Sequence, residues 1–70
     1  MTAQQIPTED RLLKIKDVIN YVNFSKAKIY VLLKQQAFPT PIKIGGSVLW
    51  SFIELQEYMN AAKQNNRVTY

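Results

Sequence analysis

Apolar residues along the chain fall into helical stretches separated by turn signals and one short β-prone pair. Val18, Ile19 and Val22 recur at the spacing of one helix face, predicting a first helix over about residues 16–22. Ahead of it, Leu12, Leu13, Lys14 and Ile15 read as a short extended or loop segment leading into the domain. Asn23 follows the helix, and asparagine tolerates the left-handed conformation that a helix end often requires. Phe24 is apolar and Ser25 is a favourable N-cap, so a second helix is expected over about residues 25–36. Its stripe of Ile29, Leu32, Leu33 and Gln36 should supply the buried residues Ile29, Leu32 and Leu33. The opposite face then carries Ala27, Lys28, Tyr30, Val31, Lys34 and Gln35. Residues 23–25 form a turn short enough for a helix-turn-helix.

Pro39, Thr40 and Pro41 close the helical region, because neither proline can continue a helix. The triplets Ile42-Lys43-Ile44 and Val48-Leu49-Trp50 flank Gly45-Gly46-Ser47 and predict a hairpin. Strands this short must pack on the helices to persist. Ser51-Phe52-Ile53-Glu54 fits a capping box, in which serine and glutamate satisfy each other's backbone amides. A third helix follows with Leu55, Tyr58, Met59 and Ala62 on one face, fraying after about Lys63. The expected fold is mainly α with a small β-hairpin: a winged helix-turn-helix of three helices and a two-stranded wing. Residues 1–10 are expected to be a flexible N-terminal tail, 11–63 the folded domain and 64–70 a flexible C-terminal tail.

Composition narrows the function. Seventy residues, 47% of them hydrophobic, allow one small core. With no cysteine and no histidine, thiolate metal sites, disulfides and imidazole-based catalysis have no residues to build on. The five carboxylates are Glu9, Asp10, Asp17, Glu54 and Glu57. Glu54 and Glu57 sit three apart on a helix with no third ligand beside them, and read as a solvated face. A non-enzyme with no cofactor is expected. No run is apolar enough to span a bilayer, and the first ten residues lack the features of a signal peptide. The expected location is therefore the cytoplasm, in association with the nucleoid, with no membrane partner.

Charge points to a polyanion. The net charge is +4, and between Arg11 and Lys43 seven basic residues face the single acid Asp17. Lys26, Lys28 and Lys34 suit phosphate contacts on either side of a groove, and Tyr30 a phosphate or a base edge. Ala27 and Val31, small and apolar on the same face, suit a thymine methyl. Ser25 is a cap first, and its helix end also favours an anion. Trp50, Phe38, Phe52 and Tyr58 read as packing residues, although Tyr30 has the alternative of packing on the hairpin. Gly45-Gly46 lacks the length, helix and lysine of a phosphate cradle and reads as a turn.

Arg11-Leu12-Leu13, Asp17-Val18, Phe24-Ser25 with Ile29-Tyr30, and Phe38-Pro39-Thr40-Pro41 recur here in a set order. Ile44-Gly45, Trp50, Glu54-Leu55 and Tyr58 complete the set. Over about residues 11–62 the chain resembles the AlpA-like regulators and small excisionases of phages and integrated elements. The resemblance implies a winged helix of the MerR/excisionase kind, double-stranded DNA as partner, and control of transcription or assistance to excisive recombination. It also implies departures. The family's recognition helix opens Ser, Arg, Ser, Thr, Ile, Tyr, Arg, whereas here it reads Ser25, Lys26, Ala27, Lys28, Ile29, Tyr30, Val31. The family's glycine two residues before Phe-Pro is Gln36, and the wing carries Lys43 as its only cation where an arginine is usual after the first glycine.

The resulting expectation is a sequence-preferring, DNA-binding transcriptional regulator of a phage or integrated mobile element, with contacts through Ser25, Lys26, Ala27, Lys28, Tyr30, Val31, Lys34 and Lys43. Its rivals are a recombination directionality factor that bends attachment-site DNA, and a protein-interaction adaptor. Partners beyond DNA would be further copies on adjacent sites, since one module buries little surface, and an integrase.

Overall fold

The computed structural model describes residues 10–69. In chain order the elements are β1 (Leu12–Leu13), α1 (Ile15–Val22), α2 (Lys26–Lys34), β2 (Ile42–Ile44), β3 (Ser47–Ser51) and α3 (Phe52–Asn65). The strands form one antiparallel sheet in the order β1-β3-β2. This is a mainly α fold with a β wing, as a winged helix-turn-helix requires. The expected two-stranded wing is in fact part of a three-stranded sheet. Leu12 pairs with Ser51 and Leu13 with Trp50, nearly forty residues away in sequence. A two-residue strand carries no alternation of its own, so it becomes a strand only when β3 supplies the partner.

The core is small and continuous: Val18, Val22, Ile29, Phe38, Trp50 and Leu55. Each helix contributes one face to it, with Leu32, Leu33, Tyr58 and Met59 packed around its rim. Trp50 is wholly buried, and its indole Nε1–H donates to the Pro39 carbonyl at 3.0 Å. The bond satisfies the one polar atom that the ring brings inside, so the cost of desolvating it is offset. Phe38 and Tyr58 meet edge to face with centroids 5.0 Å apart, locking the link after α2 onto α3.

Helix boundaries follow local chemistry. Asn23 ends α1 in the left-handed region (φ 62°, ψ 38°), the conformation expected of it. Ser25 caps α2, its Oγ accepting from the Lys28 N–H at 3.1 Å. The other end of α2 departs from expectation. The helix stops at Lys34, two residues short of the Gln36 expected. Gln36 turns left-handed (φ 58°), its N–H donating to the Leu33 carbonyl at 3.0 Å, while the Ala37 N–H donates to Leu32 at 2.8 Å. These two bonds define a Schellman motif with Gln36 in the position that usually takes glycine. The helix end therefore adopts the shape glycine would give it, but with a side chain attached.

The hairpin is tighter than the three-residue loop expected. Ser47 pairs with Ile44, leaving Gly45-Gly46 as a two-residue turn, and Gly45 supplies the positive φ (61°) such turns need. Toward the tip of the wing Ile42, Ile44 and Val48 remain exposed.

Asp10, assigned on sequence to the tail, is tied into the domain at the head of α3. Its carboxylate accepts from the Arg11 N–H at 2.8 Å, the Ile53 N–H at 2.9 Å and the Ser51 hydroxyl at 2.8 Å. Ser51 Oγ in turn accepts from the Glu54 N–H at 3.1 Å, the expected half of the capping box. Among the described residues, the reciprocal bond from Glu54 is not made; the carboxylate serving the helix start is Asp10. Sequence spacing could not show this, because the two partners lie forty-one positions apart. α3 also runs two residues beyond Lys63, to Asn65. Donation from Ile53 above all, opposed by partial burial and then aided by Ser51 and Arg11, holds the Asp10 carboxyl below the usual aspartate value.

Two outcomes are expected. Gln36→Gly should raise stability by about 0.5–1 kcal/mol in denaturant titration, because the left-handed backbone no longer carries a Cβ. A carboxyl with a depressed folded pKa stabilises above its unfolded pKa, and that contribution is lost as the pH falls through the folded value. The denaturation midpoint of the native chain should therefore drop once the pH passes below 3.8. Asp10→Asn should lower the midpoint at neutral pH and flatten that acid slope, so that the two curves converge; parallel curves would refute the role of the charge.

Candidate nucleic-acid interface

α2 has the sequence KAKIYVLLK, with three lysines and no acid. Tertiary packing decides how it is rotated. Ile29 is wholly buried and Leu32 and Leu33 are half-buried against the core, so the other side of the helix faces outward. Lys26, Ala27, Lys28, Tyr30, Val31 and Lys34 are all exposed, along with the cap Ser25. Tyr30 is 46% accessible and Val31 52%. Tyr30 is not among the residues packed against the core. The result is a convex strip: lysines at both ends, small and aromatic apolar groups between them, and a capped helix start at one end.

The short connection 23–25 delivers this strip. Left-handed Asn23 reverses the chain, its N–H donating to Ile19 at 2.8 Å. Phe24 and Ile29, which flank the cap, pack against the same core. This pairing of the residue before the cap with the fourth helical residue is a hydrophobic staple, and it fixes the angle at which α2 leaves the turn. α1 and α2 are in direct contact, as the two helices of a helix-turn-helix must be.

Seven of the eight residues expected at the interface thus lie together on α2 or its cap. Lys43 does not. It is exposed on β2 of the wing, paired with Val48. By strand alternation it shares the Val48 and Trp50 side of the sheet, while Ile42, Ile44 and Leu49 point to the other side. That second side carries no cation on β2 or β3.

Sequence reasoning passed over two cation–aromatic contacts. The Lys28 ammonium lies 4.9 Å from the centroid of the Phe24 ring, so Phe24 is more than a packing residue. Its spacing of four from Lys28 was the available signal. Arg11, counted among the free positive charges, has its guanidinium 4.7 Å over the Phe52 ring, and Phe52 in turn packs on Tyr21 at 5.3 Å. Among the described residues, no three acidic groups gather where a metal ion could be held, and no helix is long and apolar enough to cross a membrane.

Comparison with known proteins places this arrangement. Residues 11–63 match the family described as prophage CP4-57 regulatory protein (AlpA). The chain belongs to the AlpA family. The matched span begins one residue after Asp10 and ends within the last turn of α3, so it takes in every element of the fold. The AlpA-family chain is also 30% identical over 53 residues to an uncharacterized protein, ORF88, of Enterobacteria phage P4. That alignment covers 74% of this chain and 60% of the phage protein, so the chain matches less than two thirds of its relative. No solved structure matches. The family is one of prophage regulatory proteins, in keeping with the resemblance that the residues themselves carry.

One cap decides whether the strip is held at its working angle. Ser25→Ala should lose about 1 kcal/mol of stability, and Ser25→Asp should largely restore it, because the Lys28 N–H needs an acceptor there. Equal stability of Ser25→Ala and the native chain in urea would show that the cap is idle.

Proposed function

We propose that this AlpA-family chain is a double-stranded DNA-binding transcriptional regulator of a phage or integrated element, with α2 as its recognition helix in the major groove. The observation that carries the reading is the outward face of α2. Burial of Ile29 turns Lys26, Lys28 and Lys34 to solvent on a helix without an acid, around the exposed Ala27, Tyr30 and Val31. A lone α-helix with such a face matches the width of the major groove. Lysines at the strip's ends supply phosphate contacts, and the apolar middle meets base edges, thymine methyl groups above all. The family's description as regulatory supports a regulator of this kind.

Specificity on this reading is modest. Lysine is a point charge on a flexible stem and lacks the planar fork with which arginine grips guanine. One module of this size buries only about 600–1,000 Å² of protein, so useful affinity calls for several copies on adjacent sites. Lys43 is the contact on the wing, reaching a flanking phosphate. A cytoplasmic, nucleoid-bound location follows from the DNA reading.

Fluorescence anisotropy against the element's own promoter and attachment-site DNA tests the proposal. Binding should be roughly tenfold or more tighter than to random duplex at moderate salt. Lys34→Gln should weaken both and reduce the slope of log K on log salt by about one. The triple change Lys26→Glu, Lys28→Glu, Lys34→Glu should abolish binding while leaving the circular dichroism spectrum unchanged, since all three side chains are exposed. Affinity indistinguishable from random duplex would sink the proposal. Regulation that survives the triple change would replace DNA with a protein partner docked on Tyr30 and Val31.

A further inference from the structure

The three lysines of α2 are not equivalent, and the difference lies in what surrounds their ammonium groups. Lys26 and Lys34 have no ring beneath them among the described residues. Lys28 does: its Nζ stands 4.9 Å from the centroid of Phe24. That spacing is a consequence of helix geometry. Side chains on a helix lean toward its N-terminus, so a long residue in the third helical position reaches back over the residue that precedes the cap. The ring there does not wander, because Phe24 is half-buried and packed against the core that also holds Ile29. The backbone of Lys28 is held as well, since its N–H is bonded to the Ser25 hydroxyl.

An ammonium ordinarily loses the rotamer freedom of four carbon–carbon bonds when it grips a phosphate. One already held over a fixed aromatic face has surrendered part of that freedom in the free protein. A cation above a ring still presents its other N–H donors to solvent or to a phosphate. The pair also sits beside the capped start of α2, whose partial positive charge favours an anion at the same place. Staple, cap and cation thus coincide at one corner of the strip.

From this we infer that Phe24 is a positioning residue for DNA contact, holding Lys28 as a preorganised phosphate grip at the head of the recognition helix. The inference rests on the DNA-binding reading above. Lys28 is accordingly the lysine whose removal weakens binding most, ahead of Lys26 and Lys34. Phe24 itself touches no DNA and neutralises no phosphate.

A double-mutant cycle on duplex binding separates this role from simple packing. Phe24→Leu should weaken binding to a duplex about threefold, with the slope of log K on log salt unchanged, because the number of phosphates neutralised is the same. Lys28→Met should weaken it further and reduce that slope by about 0.9. In the Lys28→Met background, Phe24→Leu should lose most of its effect, keeping only the part that comes from the disturbed staple. Because Leu at position 24 also disturbs the staple, a multiply fluorinated phenylalanine there serves as the shape-preserving variant. It keeps the packing and removes the negative ring face, and should reproduce the threefold loss. In the free protein, NMR should show the Lys28 ε-methylene protons shifted upfield by the ring, and the shift should vanish in Phe24→Leu. Additive losses in the cycle, an unchanged affinity with the fluorinated ring, or unshifted ε protons would overturn the inference while leaving DNA binding intact. Failure of the native chain to bind any duplex would overturn both.

Discussion

The fold turns on how Trp50 is buried. A core of six residues leaves little redundancy, and the indole is its largest wholly enclosed member. It stands on β3, which pairs on both edges, so whatever anchors Trp50 anchors the sheet. Its N–H reaches the Pro39 carbonyl in the link after α2. The helix-turn-helix and the wing, distant in sequence, are thereby joined by one bond inside an apolar contact. Immediately after Trp50, Ser51 changes the chain from strand to helix, and Asp10 clasps that change from the far end of the domain. Two adjacent residues therefore close the hairpin, start the last helix and hold the chain's entry. In so small a domain such concentration is the economical solution, because hydrophobic area alone leaves stability marginal.

The outward face of α2 is a consequence of this core. Once Ile29 is buried in the core, the rotation of the helix is settled, and the lysines have nowhere to go but solvent. The ends of the helix are set by backbone chemistry: the serine cap and phenylalanine staple at one end, a left-handed glutamine at the other. At Gln36 the chain keeps a conformation that glycine would adopt more easily, retaining a strained turn of the kind that proteins tolerate where surrounding contacts over-determine it. The Leu32–Ala37 and Leu33–Gln36 hydrogen bonds supply that constraint here.

Helices α1 and α2, their connecting turn and the buried stripe were all legible in the order of residues. Each depends on spacing within ten positions or on a residue with one strong preference, such as Asn23 or Ser25. The outward residues of α2 were legible for the same reason, since a helix with a known buried stripe has a known opposite face. What escaped was long-range or conformational. β1 exists only through β3; Asp10's role depends on a serine and an amide far along the chain; the early stop of α2 depends on a glutamine accepting a left-handed φ. Phe24 escaped differently. Its apolar character and its place before a cap pointed to packing, which it does, and packing concealed the cation above its ring.

On the DNA-binding reading, these features argue about where discrimination comes from. A helix whose cations are all lysines gains affinity from phosphates, and phosphates are the same in every sequence. Base contact then falls to Ala27, Tyr30 and Val31, which offer shape and apolar surface and little hydrogen-bond code. The wing adds one cation, Lys43, on one side, and an uncharged face of Ile42, Ile44 and Leu49 on the other. A module so equipped distinguishes sites chiefly by how closely the backbone approaches its fixed charges, hence by groove width and the ease of bending. Fixing a charge is what makes that kind of reading possible, because a freely swinging lysine follows the phosphate wherever it lies. A cation pinned at the head of α2 fits one backbone path better than another, and so converts DNA shape into binding energy without touching a base.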